Sequence, residues 1–169
     1  MIRKAILSDA PIIKEIINKF ASQGTLLPKS LQDIYENLRD FFVYVNDSST
    51  ICGVCGLHIT WEDIAEIRSL AVVEKFQNKQ IGRQLVRASL DEATQLGVRK
   101  VFCLTYKKKF FSKQGFKVIG KSKLPHKIWI DCFKCPKFPE CNEIAMIIYL
   151  HKEIPAKNSP GSIKTIDTL

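Results

Sequence analysis

A mixed sheet with helices on its faces, an α/β (α+β) fold, is predicted by three features of the sequence. Short apolar runs of strand length alternate with segments of helical period, giving the order β-α-α-β-β-β-α-β-α-β-β. At 169 residues, with 46% hydrophobic and 25% charged residues, the chain has the size and composition of one globular domain. No segment recurs at a period of roughly 20–50 residues, which argues against a solenoid.

Each element has a local reason. Residues 2–7 read as a short strand. Ser8 or Asp9 can cap a helix with Pro11 in its first turn, where a missing N–H costs nothing. Ile12, Ile13, Ile16, Ile17 and Phe20 supply its apolar face, and Gly24 closes it. Ser30 and Asp33 form a capping-box pattern before a second helix, whose apolar face is Leu31, Ile34, Tyr35 and Leu38. Phe41–Val45, residues 51–60 and residues 64–73 are strands, the first two joined by the turn Asn46-Asp47-Ser48-Ser49. Ile81, Leu85, Val86, Leu90 and Ala93 mark an amphipathic helix over residues 81–96, ended by Gly97. Lys100–Thr105 is a strand and residues 108–114 a short helix ended by Gly115. Residues 116–119 and 143–150 are the last strands. The loop between them, residues 120–142, is long enough to suggest function rather than packing. The domain is expected to span residues 1–150. Residues 151–169, with Pro155, Pro160 and Gly161 and no apolar period, are expected to form a flexible tail.

Charge is the least ordinary property. The chain carries +9, and residues 99–134 hold 11 basic residues against Asp131, a local net of +10 that leaves −1 for the remainder. Overall basicity would suggest nucleic acid or a membrane surface, whereas a local excess suggests one electropositive site for a phosphorylated ligand. The longest apolar run near the end, residues 144–150, is far shorter than a membrane span, and no signal peptide is visible at the N-terminus. A cytoplasmic protein is the expectation.

The chemistry concentrates in Ala65-Glu66-Ile67-Arg68-Ser69-Leu70-Ala71-Val72 and the loop that follows. A strand, a polar loop containing Gly and a helix start place free backbone N–H groups beside the positive end of a helix, which binds phosphate. Gln77, Asn78, Lys79, Gln80, Ile81 and Gly82 fill a loop that resembles the acetyl-CoA signature of the GNAT acyltransferase superfamily, Gln/Arg-x-x-Gly-x-Gly/Ala. Gln80 stands where the first Gly of that pattern belongs, and Lys79 and Arg83 can compensate with charge.

The resemblance implies a GNAT fold over residues 1–150, its mixed sheet mostly antiparallel, and acetyl-CoA as co-substrate bound by Leu70, Ala71, Val72, Gln77, Asn78, Lys79, Gln80, Ile81, Gly82 and Arg83. It implies that Glu66 is the general base which takes a proton from the acceptor ammonium, an edge-strand salt bridge being the other reading. Glu66 is expected to face opposite to both Ile67 and Arg68. A backbone N–H at Ala71 or Val72 would stabilise the oxyanion. The superfamily often reprotonates the thiolate with a Tyr in Phe-Tyr-x-x-x-Gly-Phe. Here Phe110-Phe111-Ser112-Lys113-Gln114-Gly115-Phe116 lacks it, leaving Tyr106 as the acid, or no acid at all.

Further stretches are similar to short, stand-alone N-acetylglutamate synthases of arginine biosynthesis. They are Gln23 to Ser30, Phe41-Phe42-Val43, Val101 to Tyr106, Leu124 to Trp129, and the Cys132, Cys135, Cys141 loop. The acceptor implied is the α-amine of L-glutamate, with another small amine or a protein N-terminus or lysine as the alternative. Two carboxylates call for cations and backbone donors, and Lys29, Ser30, Arg68 and Lys127 are available. Cys52 and Cys55 lie three apart in a strand and are expected on opposite faces, while Cys103 points into a core. Cys132, Cys135 and Cys141, with His126, could gather around zinc or an iron–sulfur centre, or Pro136 and Pro139 could order that loop unaided. The partner expected is a small amino-acid substrate, with no nucleic acid and no membrane; a homodimer stays open. A GNAT scaffold that binds acyl-CoA without turnover is the rival from another class.

Overall fold

The structure, a computed structural model, describes residues 1–124, 135 and 140–150. Seven strands, β1 (Ile2–Lys4), β2 (Phe41–Val45), β3 (Ile51–Trp61), β4 (Ile64–Val72), β5 (Lys100–Thr105), β6 (Lys117–Val118) and β7 (Ile144–Tyr149), form one sheet in the order β1-β2-β3-β4-β5-β7-β6. Every neighbouring pair is antiparallel except β4 and β5. That parallel pair requires a crossover, which α3 (Ile81–Gln95) supplies.

Two faces bury two apolar sets. On one, Ile81, Leu85, Val86, Leu90 and Ala93 of α3, with Phe111 of α4 (Lys108–Ser112), cover Phe42, Cys55, Leu57, Ala65, Ile67 and Cys103. On the other, α1 (Ala10–Ser22) and α2 (Leu31–Glu36) lay Ile13, Ile16, Ile17 and Ile34 against Phe41, Val43, Val45, Ile51, Val54 and Ala71. Burying each such aliphatic side chain is worth about 1.5–3 kcal/mol, so the two helices are held mainly by tertiary packing. The capping box of α2 forms as the sequence predicts: Asp33 N–H donates to Ser30 Oγ at 3.0 Å and Ser30 N–H to Asp33 Oδ2 at 3.0 Å.

Several expectations need correction. Ile12 is 43% exposed, because it sits at the edge of the α1 stripe that Ala10 completes; Tyr35 is likewise 43% exposed. The first strand ends at Lys4, the short helix at Ser112, and the strand after Gly115 keeps only Lys117–Val118. Cys52 and Cys55 share the α3 face. Between Tyr44 and Val45 the β2–β3 register shifts, with Tyr44 opposite Gly53 and Val45 opposite Ile51, so a bulge at Cys52 resets the alternation. Arg68 lies on the same face as Glu66, since the register His58–Glu66, Leu57–Ile67, Gly56–Arg68 is unbroken and side chains repeat every second residue.

Burial holds the core thiols protonated. It pushes Cys55 up to about 12, against a partly offsetting contact with the Ser89 hydroxyl at 3.4 Å. Cys103 is raised by burial first and then by the negative charge of Glu66.

Candidate active site

The site begins where the central strands separate. β4 and β5 pair only over Ile64–Glu66 and Lys100–Phe102, after which β5 stays with β7 and β4 stays with β3. Just past this point Arg68 opposes Gly56 and Ala71 opposes Val54, so β4 carries an extra residue, and Ser69 adopts φ +55°. A bulge of this kind bends and twists the strand that bears it. The opened strands enclose a cleft of about 1140 Å³, walled by residues 67–72 of β4, residues 80–83 at the start of α3, and residues 104–107 at the end of β5 and just beyond it. Phe110, Gln114 and Glu143 also line it, as do Phe20 and residues 23–26.

Within that wall Val72 is oriented for donation. Val73 N–H donates to Cys52 C=O at 2.9 Å, so the alternating backbone turns Val72 away from β3. Its C=O instead accepts from Gln77 Nε2 at 3.0 Å, and its N–H points the same way, out of the ladder. Ala71 directs its N–H towards β3 by the same alternation and buries its side chain against α1.

The loop to α3 is built from unusual backbone. Asn78 has φ +62° and Gln80, the N-cap of α3, has φ +64°, ψ 3°. Gln80 therefore occupies a left-handed conformation that suits the Gly it replaces, at a cost of about 1–2 kcal/mol. The N–H groups of Ile81, Gly82 and Arg83 begin the helix without helical acceptors and sit at its positive pole. A Cβ on Gly82 would lie 3.3 Å from the Phe110 ring, so Gly is what lets α3 approach this wall. Lys75 and Lys79 stand over the Phe76 ring at 5.1 and 5.5 Å. Glu74 accepts from Lys19 at 3.1 Å and Gln23 at 3.3 Å, tying the end of α1 to this loop.

The predicted cofactor residues 70–72, 77, 78 and 80–83 all line the cleft, as do Arg68 and Tyr106. Lys79 is in the same loop without being part of the wall. Glu66 is half-buried at the last β4–β5 pair, immediately before the lining begins at Ile67. Lys29 and Ser30 are not among the lining residues. Asn18 brackets the Lys29 backbone with bonds of 2.8 and 2.9 Å, and both Ser30 groups serve the α2 cap. Lys127, His126 and Cys132 lie outside the described residues. Cys135 and Cys141 are half-buried, and Cys141 Sγ donates to Glu143 at 3.6 Å. Among the described residues no three His, Cys, Asp or Glu side chains group closely enough to hold a metal, and no helix is long and apolar enough to cross a membrane.

Sequence reasoning did not single out Asn37, Asp40 and His58. They surround Arg68: Nη2 lies 3.2 Å from Asn37 Oδ1, 3.1 Å from Asp40 Oδ2 and 3.0 Å from His58 Nδ1. Only the strand register brings His58 opposite Glu66 and next to Arg68. Glu143, which shares the cleft lining with Glu74, was also missed, since nothing in the local sequence distinguishes it from nearby Glu140.

Comparison with known proteins agrees with this geometry. Residues 12–116 match the model of the acetyltransferase (GNAT) family. An uncharacterised N-acetyltransferase of Chlorobaculum tepidum is 43% identical over 146 residues, covering 86% of this chain and 94% of that protein. An amino-acid acetyltransferase of Mycobacterium tuberculosis is 34% identical over 118 residues, covering 69% of this chain and 67% of its own. Among solved structures, N-acetylglutamate synthase from Neisseria gonorrhoeae, complexed with coenzyme A and N-acetyl-glutamate, superposes with a TM-score of 0.83 at 26% identity. That match covers 90% of this chain and 35% of the larger protein.

Proposed function

This chain belongs to the acetyltransferase (GNAT) family, and we propose that it transfers the acetyl group of acetyl-CoA to the α-amine of L-glutamate by direct attack in a ternary complex. The observation that carries acetyl transfer is the cleft between β4 and β5, which has a bare helix N-terminus in its wall and the half-buried Glu66 one residue before its β4 lining begins. A helix pole with Arg83 beside it suits a pyrophosphate, and the unladdered Val72 N–H suits the developing oxyanion of a thioester. The choice of glutamate rests on likeness to amino-acid acetyltransferases and on the guanidinium of Arg68 in the wall.

The residues divide the work. Glu66 takes a proton from the acceptor ammonium, and the freed amine attacks the thioester carbonyl. As the new C–N bond forms, the C–S bond breaks. Of the two protons the nitrogen gives up, one ends on the CoA sulfur and the other in solvent. Tyr106, on the cleft wall, is the donor available to that sulfur, although a thiolate also leaves readily unaided. The thiols Cys52, Cys55 and Cys103 are all held protonated by burial, which favours direct attack over an acyl-cysteine intermediate.

A screen of acceptor amines, following acetyl-CoA consumption, tests the reading. Glutamate should stimulate consumption above all other amino acids and yield N-acetylglutamate. Equal stimulation by a lysine peptide, or none by glutamate, would sink it.

A further inference from the structure

This inference rests on the amino-acid acceptor proposed above and concerns how a carboxylate of that acceptor is read. Arg68 Nη2 has two hydrogens, and Asp40 Oδ2 at 3.1 Å and Asn37 Oδ1 at 3.2 Å provide an acceptor for each. His58 Nδ1 lies 2.7 Å from the same Asp40 oxygen and 3.0 Å from Nη2. A guanidinium only donates and a carboxylate only accepts, so one nitrogen cannot satisfy both. A carboxylate oxygen at 2.7 Å requires a proton on Nδ1. His58 therefore donates to Asp40, and its approach to Arg68 is a packing contact.

Asp40 thus gathers two donors from two neighbouring strands while it is 21% exposed. Among the described residues all side-chain hydrogen bonds of Arg68 run through Nη2, and its buried Nε has no acceptor. Arg68 also lines the cleft. Among the described residues, only the Nη2 corner of the guanidinium has protein partners, which leaves Nη1 as its remaining accessible donor.

We propose that Asp40, assisted by Asn37 and His58, is a positioning residue that clamps Arg68 through Nη2 so that Nη1 is held to receive a carboxylate oxygen of the acceptor. Asp40 also balances the guanidinium charge, so the site selects a carboxylate by the fixed direction of one charged donor more than by bulk attraction. Asp40 reaches the acceptor only through Arg68, and that dependence is measurable.

The test is a double-mutant cycle on the full chain saturated with CoA, titrating L-glutamate calorimetrically. Asp40→Ala should weaken glutamate binding by about tenfold in the parent background and less than about twofold in Arg68→Ala. CoA affinity should stay within about twofold throughout, showing that the fold persists. Asp40→Asn keeps an oxygen for Nη2 and should recover glutamate affinity to within about threefold of the parent. An equal effect of Asp40→Ala in both backgrounds, no effect in the parent, or no glutamate binding by the parent overturns the clamp. Turnover is read separately: glutamate that binds through Arg68 but is not acetylated counts against the reaction proposed above and leaves the clamp standing.

Discussion

At the residue scale, the start of α3 holds one side chain against its backbone preference. Gln80 is held at φ +64° where a side chain is strained. Gln80→Gly should therefore stabilise the fold by about 1 kcal/mol, read as a higher denaturation midpoint, because relief of the left-handed strain exceeds the extra entropy of Gly. A lower midpoint would show that the Gln80 side chain holds the loop. Glu66 sits half-buried at the last position of β4 paired with β5, and is proposed as the base for the acceptor amine. Glu66→Gln should lower kcat by about 10²–10⁴-fold with the affinity for acetyl-CoA unchanged. Wild-type kcat in that variant would remove Glu66 as the base.

Elements carry the stability on which these residues depend. The edge strand β1 is tied to the start of α1 by Arg3 and Asp9, with contacts of 2.6 and 3.0 Å. The guanidinium of Arg3 holds the Asp9 carboxyl below its ordinary value, burial opposes this, and the Ile6 N–H at 2.9 Å adds to the lowering. A carboxyl lowered on folding stabilises the protein above its unfolded pKa of about 3.9, and that contribution fades as pH falls through the folded value. Asp9→Asn should thus lower the melting temperature at pH 7, and the gap to the parent should narrow once the pH drops below about 4. A gap that is constant with pH would assign the loss to packing instead. Away from the cleft lining, the α2 cap explains Ser30 without a ligand, since its hydroxyl oxygen accepts from Asp33 N–H and its own N–H donates to the Asp33 carboxylate.

The whole molecule brings the start of α3, proposed to hold the anion, and Arg68, proposed to read the acceptor, to one cleft. Lys107, Lys113 and Arg83 line it, so part of the basic excess after Arg99 borders the space where CoA is proposed to lie. Such exposed charges act through a screened field, and CoA affinity should fall several-fold between roughly 0.05 and 0.5 M salt. Salt-independent affinity would reduce that excess to ordinary solvated surface. The sequence by itself determined the elements and the loop to α3, because apolar period, the Ser30–Asp33 box and the Gly positions are local signals. It misplaced what depends on register. The Cys52 bulge put both strand cysteines on one face, and the unbroken run from His58–Glu66 to Gly56–Arg68 put Glu66 and Arg68 together. Asn37, Asp40 and His58 became neighbours of Arg68 only through the tertiary structure. A local sequence encodes which residues are buried or turned, whereas strand pairing, settled by the burial of two whole faces at once, decides which distant side chains meet.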